Sequence, residues 1–459
     1  MPNKKIQPGT YSIKSLIVIS EETAQSVDFS NVFTQIDIFE SIYFPVITGF
    51  VTVTDANNLI SGQNSLPIMG NEIIYIELGL PTFKLYVDGK WGKDEQDNNV
   101  KFLGRVTDIK NKTLINDRAQ NYEIHFISQE GVMDRNIVIC QSYKDKTYRD
   151  IIENIFENFG SPDSYELEET IGTHQIIIPK WNPLMAINWL AARSVSSKYN
   201  TSTFFFFQTL YNDGQTDSDR KGYIKSKYNE DVTSKFWFLS LDDLLAYGER
   251  KTIFFRPSNL NLSGQNSSPD GPYDMIFSNA MNYEVINSFD VMKNNQNGLF
   301  NSQMITHDIT KKEWAVTKFN YENEFGKFNH LAAEKLFVGN PDRKQNRFTD
   351  YEESRRVMTS IGTKESPNGL DKVSLSRMNR IQSLNNYKIR IVLPGDGILE
   401  SGDIINFELP SPEPDGEKSF DKYYSGNYLI TAIRHTFSKN DYKITLECAR
   451  DSLKQKVSK

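Results

Sequence analysis

The sequence predicts a β-rich α+β protein in which two antiparallel β-barrels flank an α/β insert. Three observations predict it. Apolar and polar residues alternate at period two toward both ends of the chain. Between them, apolar residues fall at helical spacing. One set of three strands, with its turn glycines, occurs twice.

In the first part, residues 11–19 form an apolar-rich run. Phe33-Thr-Gln-Ile-Asp-Ile-Phe and Gly49-Phe-Val-Thr-Val-Thr-Asp alternate. Glu72-Ile-Ile-Tyr-Ile-Glu-Leu, residues 102–109 and Tyr122-Glu-Ile-His-Phe-Ile complete the set. So many short strands with turns between them predict a small barrel or sandwich. A short helix is expected at residues 55–60.

The character then changes. Thr147 reads as an N-cap, and Tyr148, Ile151, Ile152, Ile155, Phe156 and Phe159 recur at helical spacing before Gly160. Gln175-Ile-Ile-Ile-Pro reads as a strand. Pro183 opens a second helix carrying Met185, Ile187, Trp189 and Leu190. Phe204-Phe-Phe-Phe reads as a buried strand paired with Phe236-Trp-Phe-Leu. Residues 212–233 between them are polar and rich in Gly, Asp and Ser, which predicts an exposed loop open to proteolysis.

From Lys251 onward β character returns. Residues 259–272 read as a loop, and 289–291 and 298–308 as hairpin strands. Residues 327–372 are polar, with little apolar periodicity. Residues 374–385 read as a helix with Met378, Ile381 and Leu384 on one face, and the chain closes on strands. The expected units are residues 1–138 for the first barrel and 139–250 for the insert. The second barrel takes 251–459, with a polar, partly helical segment at 327–385.

The repeat pairs Gly70-Asn-Glu-Ile-Ile-Tyr-Ile-Glu-Leu with Gly402-Asp-Ile-Ile-Asn-Phe-Glu-Leu. Phe102-Leu-Gly-Arg-Val-Thr-Asp-Ile-Lys matches Tyr424-Ser-Gly-Asn-Tyr-Leu-Ile-Thr-Ala-Ile-Arg, and Gln120-Asn-Tyr-Glu-Ile-His-Phe matches Asn440-Asp-Tyr-Lys-Ile-Thr-Leu. Two unrelated β-meanders are the alternative reading of this pattern.

Composition narrows the function. With 459 residues, 29 Phe and 22 Tyr, the chain has ample material for packed cores. A net charge of -7 is unfavourable for general nucleic-acid binding. Two cysteines, Cys140 and Cys448, exclude a disulfide framework and a thiolate zinc site. The N-terminus has no apolar stretch after its lysines and no window reaches 18 apolar residues, so a soluble protein made in a reducing cytoplasm is expected.

No catalytic motif emerges. Phosphate-loop, dinucleotide, nucleophile-elbow and zincin patterns are absent. His125, His174, His307, His330 and His435 form no ligand spacing. His307-Asp308 lies in an expected strand, where neighbours face opposite ways. Glu166, Glu168 and Glu169 read as a solvated loop. Asp415-Gly-Glu lacks alternating calcium ligands. Phe204 to Phe207 lack the flanking cations of a base-stacking platform. No catalytic, cofactor-binding or metal-binding residue is assigned, and no cofactor is expected.

Several stretches together resemble the baseplate hub proteins of contractile-tailed bacteriophages. The phage late control D proteins and the N-terminal part of type VI secretion spike proteins are related to that family. Ile36-Asp-Ile-Phe-Glu-Ser-Ile-Tyr-Phe-Pro-Val-Ile-Thr-Gly-Phe-Val-Thr-Val-Thr-Asp resembles the opening hairpin, and Leu66-Pro-Ile-Met-Gly-Asn-Glu continues it. Thr147-Tyr-Arg-Asp-Ile-Ile-Glu-Asn-Ile-Phe, Trp181-Asn-Pro-Leu-Met-Ala-Ile-Asn-Trp-Leu-Ala and Phe204 to Phe207 are similar to the insert. Pro394-Gly-Asp-Gly-Ile-Leu-Glu-Ser-Gly-Asp and Tyr428-Leu-Ile-Thr-Ala-Ile-Arg-His resemble the closing barrel. Residues 327–372 have no clear counterpart, and no lysozyme or β-helical spike follows the second barrel.

The resemblance implies two tube-like barrels per chain and a homotrimer. Six similar units would join a hexameric tail tube to a trimeric central spike. The implied partners are tail-tube protein, central spike protein and surrounding baseplate wedge proteins, with DNA passing through the lumen and no membrane insertion. The implied place is the baseplate of the virion tail, assembled in the host cytoplasm. The alternatives are a hub-associated cell-wall or polysaccharide-degrading enzyme and a host-surface adhesin.

Overall fold

The structure, a computed structural model, describes residues 9–60, 65–80, 99–159, 164–210, 234–255, 278–308, 312–335, 355–359, 370–395, 397–411, 420–439 and 441–454. The expected loops at 212–233 and 259–272 lie outside them.

The first barrel is built from β1 (Ser12–Ile19), β2 (Ser26–Asp28), β3 (Phe33–Ser41), β4 (Thr48–Asp55), β5 (Ile73–Gly79), β6 (Asn99–Asn116) and β7 (Ala119–Ser128). Their alternation buries one face of each strand, as along β7. Residues 55–60 form a turn and not the expected helix. The Asp55 carboxylate accepts the amides of Asn57 (2.9 Å) and Leu59 (2.8 Å), giving the backbone an alternative to a helical ladder.

After α1 (Gln129–Asn136) come the elements of the insert, β8 (Ile139–Lys146), α2 (Tyr148–Phe159), β9 (Ser164–Leu167), β10 (His174–Trp181), α3 (Pro183–Ala191), β11 (Phe204–Leu210), β12 (Ser234–Ser240) and α4 (Leu241–Ala246). Helix α2 starts on a reciprocal cap. Thr147 Oγ1 accepts the Asp150 amide at 3.1 Å and Asp150 accepts the Thr147 amide at 3.4 Å. The four phenylalanines of β11 are buried on both faces of the sheet. Phe204 and Phe206 pack under α2 and α3, while Phe205 and Phe207 pack with Ile404 and Leu429 of the second barrel.

The rest holds β13 (Glu249–Phe254), β14 (Asn282–Ser288), α5 (Val291–Gln296), β15 (Asn301–Asp308), β16 (Glu313–Asn320), α6 (Tyr321–Glu324), β17 (Glu334–Lys335) and β18 (Arg355–Thr359). It continues with α7 (Leu370–Leu384), β19 (Tyr387–Pro394), β20 (Ile404–Glu408), β21 (Gly426–Ser438), β22 (Asp441–Arg450) and β23 (Ser452–Leu453). The strand expected at 289–291 is absent. Asp290 accepts the Lys293 amide at 3.0 Å and starts α5 there instead. Strand β15 instead pairs with β16 on one side and β18 on the other.

One sheet runs through both barrels in the order β14-β19-β22-β21-β3-β4-β7-β6-β5-β1-β2, with β20 and β13 attached beside β21. The two apolar interiors form one contiguous core.

The repeat holds at the level of single hydrogen bonds. Asn71 donates to the Val106 carbonyl and Val106 to that of Glu72, both at 2.8 Å. Gly402 donates to Ile430 (2.9 Å) and Ile430 to Asp403 (2.8 Å). Asn71 and Gly402 both sit at positive φ, 72° and 94°, where Asn and Gly are the tolerated residues. The next residue of each copy lies in a β-bulge, between Val106 and Asp108 on β6 and between Ile430 and Ala432 on β21. Thr107 Oγ1 donates across it to the His125 carbonyl (3.2 Å), and Thr431 Oγ1 to that of Glu447 (3.1 Å). The copies part at the closing strand, since β1 runs antiparallel to β5 while β13 runs parallel to β20.

Candidate assembly interface

Strand β21 is longer than its pairing with β20 requires. Residues 426–429 pair with β20, and residues 432–438 run on to pair with β3 of the first barrel. At this joint Ala432 faces Ser41 and Ser438 faces Gln35. Asp37 is fully buried there. Its Oδ1 accepts from Arg434 Nε and from Thr436 Oγ1, both at 2.7 Å, and its Oδ2 from Gln35 at 2.5 Å. A buried carboxylate is tolerated when a cation and hydrogen bonds compensate it. The Asp37 hydrogen bond in turn raises the Arg434 guanidinium above its ordinary value. Ile36, Ile38, Ile433 and Phe437 close the joint with apolar burial, and the bulge carbonyl of Thr431 accepts the Ile42 amide at 3.0 Å.

Two other edges of the same sheet are left open among the described residues. The pairing of β6 with β5 ends at Arg105, so beyond it β6 is flanked by β7 alone. Thr107, Asp108 and every residue from Lys110 to Asn116 are exposed, Leu114 by 80% and Ile115 by 52%. Strand β14 ends the sheet and pairs with β19 only. Its Val285 and Ile286 are 37% and 40% exposed. An exposed strand edge carrying apolar residues is a template for pairing with another strand.

A buried charge network holds the insert to the second barrel. Arg380 on α7 reaches Asp242 on α4 (3.3 Å), Asp451 beyond β22 (3.2 Å) and the Asn329 carbonyl (2.8 Å). His330 Nδ1 lies 2.7 Å from Asp451, and Leu331 donates its amide to the same carboxylate at 3.2 Å. Burial acts to raise the Asp451 carboxyl. The His330 hydrogen bond and charge, Arg380 and the Leu331 amide together outweigh it and hold the group below its ordinary value.

The groups weighed for chemistry are in structural roles. Glu166 and Glu168 are not solvated as expected. Glu166 pairs with Lys235 at 3.2 Å, and Glu168 accepts the amide (2.6 Å) and hydroxyl (3.1 Å) of Ser240, which caps α4. His307 stacks on Trp314, 4.1 Å between centroids, and His435 Nδ1 lies 2.9 Å from the Tyr442 hydroxyl. Among the described residues, no group of three or more His, Cys, Asp and Glu could hold a metal ion, and no helix is long and apolar enough to cross a membrane.

The chain matches no family model and no curated protein in sequence. In fold it is similar to the 43 kDa tail protein of prophage MuSo2 from Shewanella oneidensis. The two share 10% identity over 96% of this chain and 99% of that one, with a TM-score of 0.51. A tail protein from Neisseria meningitidis aligns at 9% identity over 96% and 97% of the two chains, TM-score 0.49. A chain of the Francisella PdpA-VgrG complex aligns at 11% identity over 98% of this chain and 54% of that one, TM-score 0.46. The Shewanella match runs nearly end to end on both sides, and this chain has the tail-protein fold.

Proposed function

We propose that this protein is the structural baseplate hub of a contractile phage tail. Three copies form a pseudo-sixfold ring that joins the hexameric tail tube to the trimeric central spike and lets DNA pass. The observation that carries the reading is the duplicated barrel, matched at its bulge threonines Thr107 and Thr431, within a tail-protein fold. Two barrels per chain and three chains give six similar units on one face, while the insert and the unequal loops keep the other face threefold. Residues 1–138, 139–250 and 251–459 are the units of this arrangement. The role is mechanical and not enzymatic. The partners are tail-tube protein, central spike protein and wedge proteins, and the place is the virion baseplate after assembly in the host cytoplasm. Electron-microscope projections of the purified protein, with tube and spike partners added, test it. A threefold ring with a central hole is the expected image, and a monomer or dimer in their presence overturns it.

A further inference from the structure

The joint between the two barrels of one chain can be matched, residue by residue, to the two open edges of the sheet. Superposing the bulges makes Thr107 the counterpart of Thr431 and Lys110 that of Arg434, since Lys110 faces Glu123 on β7 as Arg434 faces Thr445 on β22. Beyond that point Thr113 faces Asn121 and Thr436 faces Lys443, so Thr113 corresponds to Thr436. On the other side, Asp37 faces Phe50 on β4, and Glu284 faces Arg390 on β19. Through β7 and β22, Phe50 and Arg390 are themselves counterparts. Glu284 therefore stands where Asp37 stands.

Three of the four groups in the cluster at the joint thus have counterparts on the two open edges. Arg434, Thr436 and Asp37 become Lys110, Thr113 and Glu284. The lysine is shorter than the arginine it replaces, and the glutamate is longer by one methylene than the aspartate. In the single chain both charges are exposed and engaged only locally, Lys110 with Asp108 at 3.1 Å and Glu284 with Arg390 at 2.8 Å.

The register supplies an independent check. Between Lys110 and Thr113, β6 carries one residue more than β21 carries between Arg434 and Thr436. Between Val285 and Asn287, β14 likewise carries one residue, Ile286, that β3 lacks. When the edges are laid together as β21 lies on β3, the two insertions fall opposite each other and cancel. An unbroken antiparallel ladder results, with Lys110 facing Asn287, Lys112 facing Val285, Thr113 facing Glu284 and Leu114 facing Tyr283. A one-residue mismatch would have turned every later side chain to the wrong face.

We infer that the part of β6 beyond Arg105 in one copy pairs with β14 of the next copy in this register. In that ladder Lys110, facing Asn287, and Glu284, facing Thr113, stand three positions apart and on opposite faces, so the contact rests on backbone pairing and not on a copy of the Arg434–Asp37 ion pair. The inference rests on the ring reading above and specifies its intermolecular contact. The contact is head-to-tail, as ring closure by unlike surfaces requires.

The test is a cysteine pair, Lys112→Cys with Val285→Cys, in a Cys140→Ser background that removes the exposed native thiol. Facing residues of an antiparallel pair lie about 4.5–5.5 Å apart at Cα, within the range a disulfide spans. Oxidation of the protein with its tube and spike partners is expected to give a covalent trimer on a non-reducing gel. The off-register pair, Lys112→Cys with Asn282→Cys, is expected to give none. A ring seen by microscopy that does not cross-link at 112 and 285, or that cross-links equally off register, overturns the joint and leaves the ring reading standing. Failure to assemble at all overturns both.

Discussion

Arg434 and Asp37 lie 397 positions apart in sequence and 2.7 Å apart in space, and their contact fixes the first barrel against the second. Removing the cation leaves a buried carboxylate with two neutral donors. Arg434→Ala is therefore expected to lower stability by about 1.5–3 kcal/mol, the range for a hydrogen bond to a charged group. Urea unfolding followed by tryptophan fluorescence measures it. Arg434→Lys should recover part of the loss.

The Arg380 network is more sensitive, because two carboxylates share one guanidinium away from water. Arg380→Met leaves Asp242 buried without its cation and Asp451 with His330 and neutral donors alone. Loss of about 3–5 kcal/mol is expected, as for other buried pairs broken from one side. A loss under about 1 kcal/mol in the same unfolding assay would contradict the structural role given to this arginine.

Acid should act through the same place. The Asp451 carboxyl is held below its ordinary value, so it contributes stability that is present above about pH 4, the unfolded carboxylate range. That contribution is lost as pH falls through the depressed folded value. The stability gap between the natural protein and Asp451→Asn should be widest at neutral pH and shrink steadily below pH 4. A gap that widened on acidification would reverse the sign and refute the assignment.

Base should meet resistance from the tyrosines. Burial is the largest cause that pushes Tyr11 and Tyr148 up to about 12, and it raises Tyr122 and Tyr428 further. A raised phenol contributes stability that is complete below its unfolded pKa of about 10 and fades as pH rises through the folded value. Absorbance titration near 295 nm should show these groups ionising only with unfolding, as one cooperative step.

Activity assays should be blank. Glu166, Glu168 and Asp243 are three carboxylates of the insert that are buried or half-buried. Each is bound to a lysine, a serine or a tyrosine, with Asp243 3.1 Å from Lys198 and from Tyr247. Zymograms on peptidoglycan and polysaccharide should show no clearing. Clearing abolished by Glu168→Gln would establish an enzyme.

Much of this was legible in the sequence because it depends on local pattern. Period two marks β3, β4 and β7, and Thr147 with Asp150 marks the start of α2. The repeat was legible down to the matched threonines Thr107 and Thr431 and the cations Lys110 and Arg434 three places on. What it did not show is where β21 goes after leaving β20, because pairing with β3 depends on register between distant segments. The strand expected at 289–291 failed for a smaller reason: one aspartate cap outweighed a short apolar run. Glu166 and Glu168 were misjudged since their partners, Lys235 and Ser240, arrive from a strand some 70 residues later. The Arg380 network draws on four separated stretches and has no local signature.

The pairing of β21 with β3 also sets a schedule for synthesis. Strand β3 leaves the ribosome early, but its partner edge on β21 is not complete until Ser438 has been made. At about 5–20 residues per second, that wait is roughly 20–80 s. Throughout it, β3 presents an unpaired edge with Asp37 lacking its arginine. A neighbouring ribosome on the same message would meanwhile be releasing a β21 of identical sequence, so the edge could be filled in trans. Faithful folding then depends on the chain's own C-terminal barrel arriving before a neighbour's does.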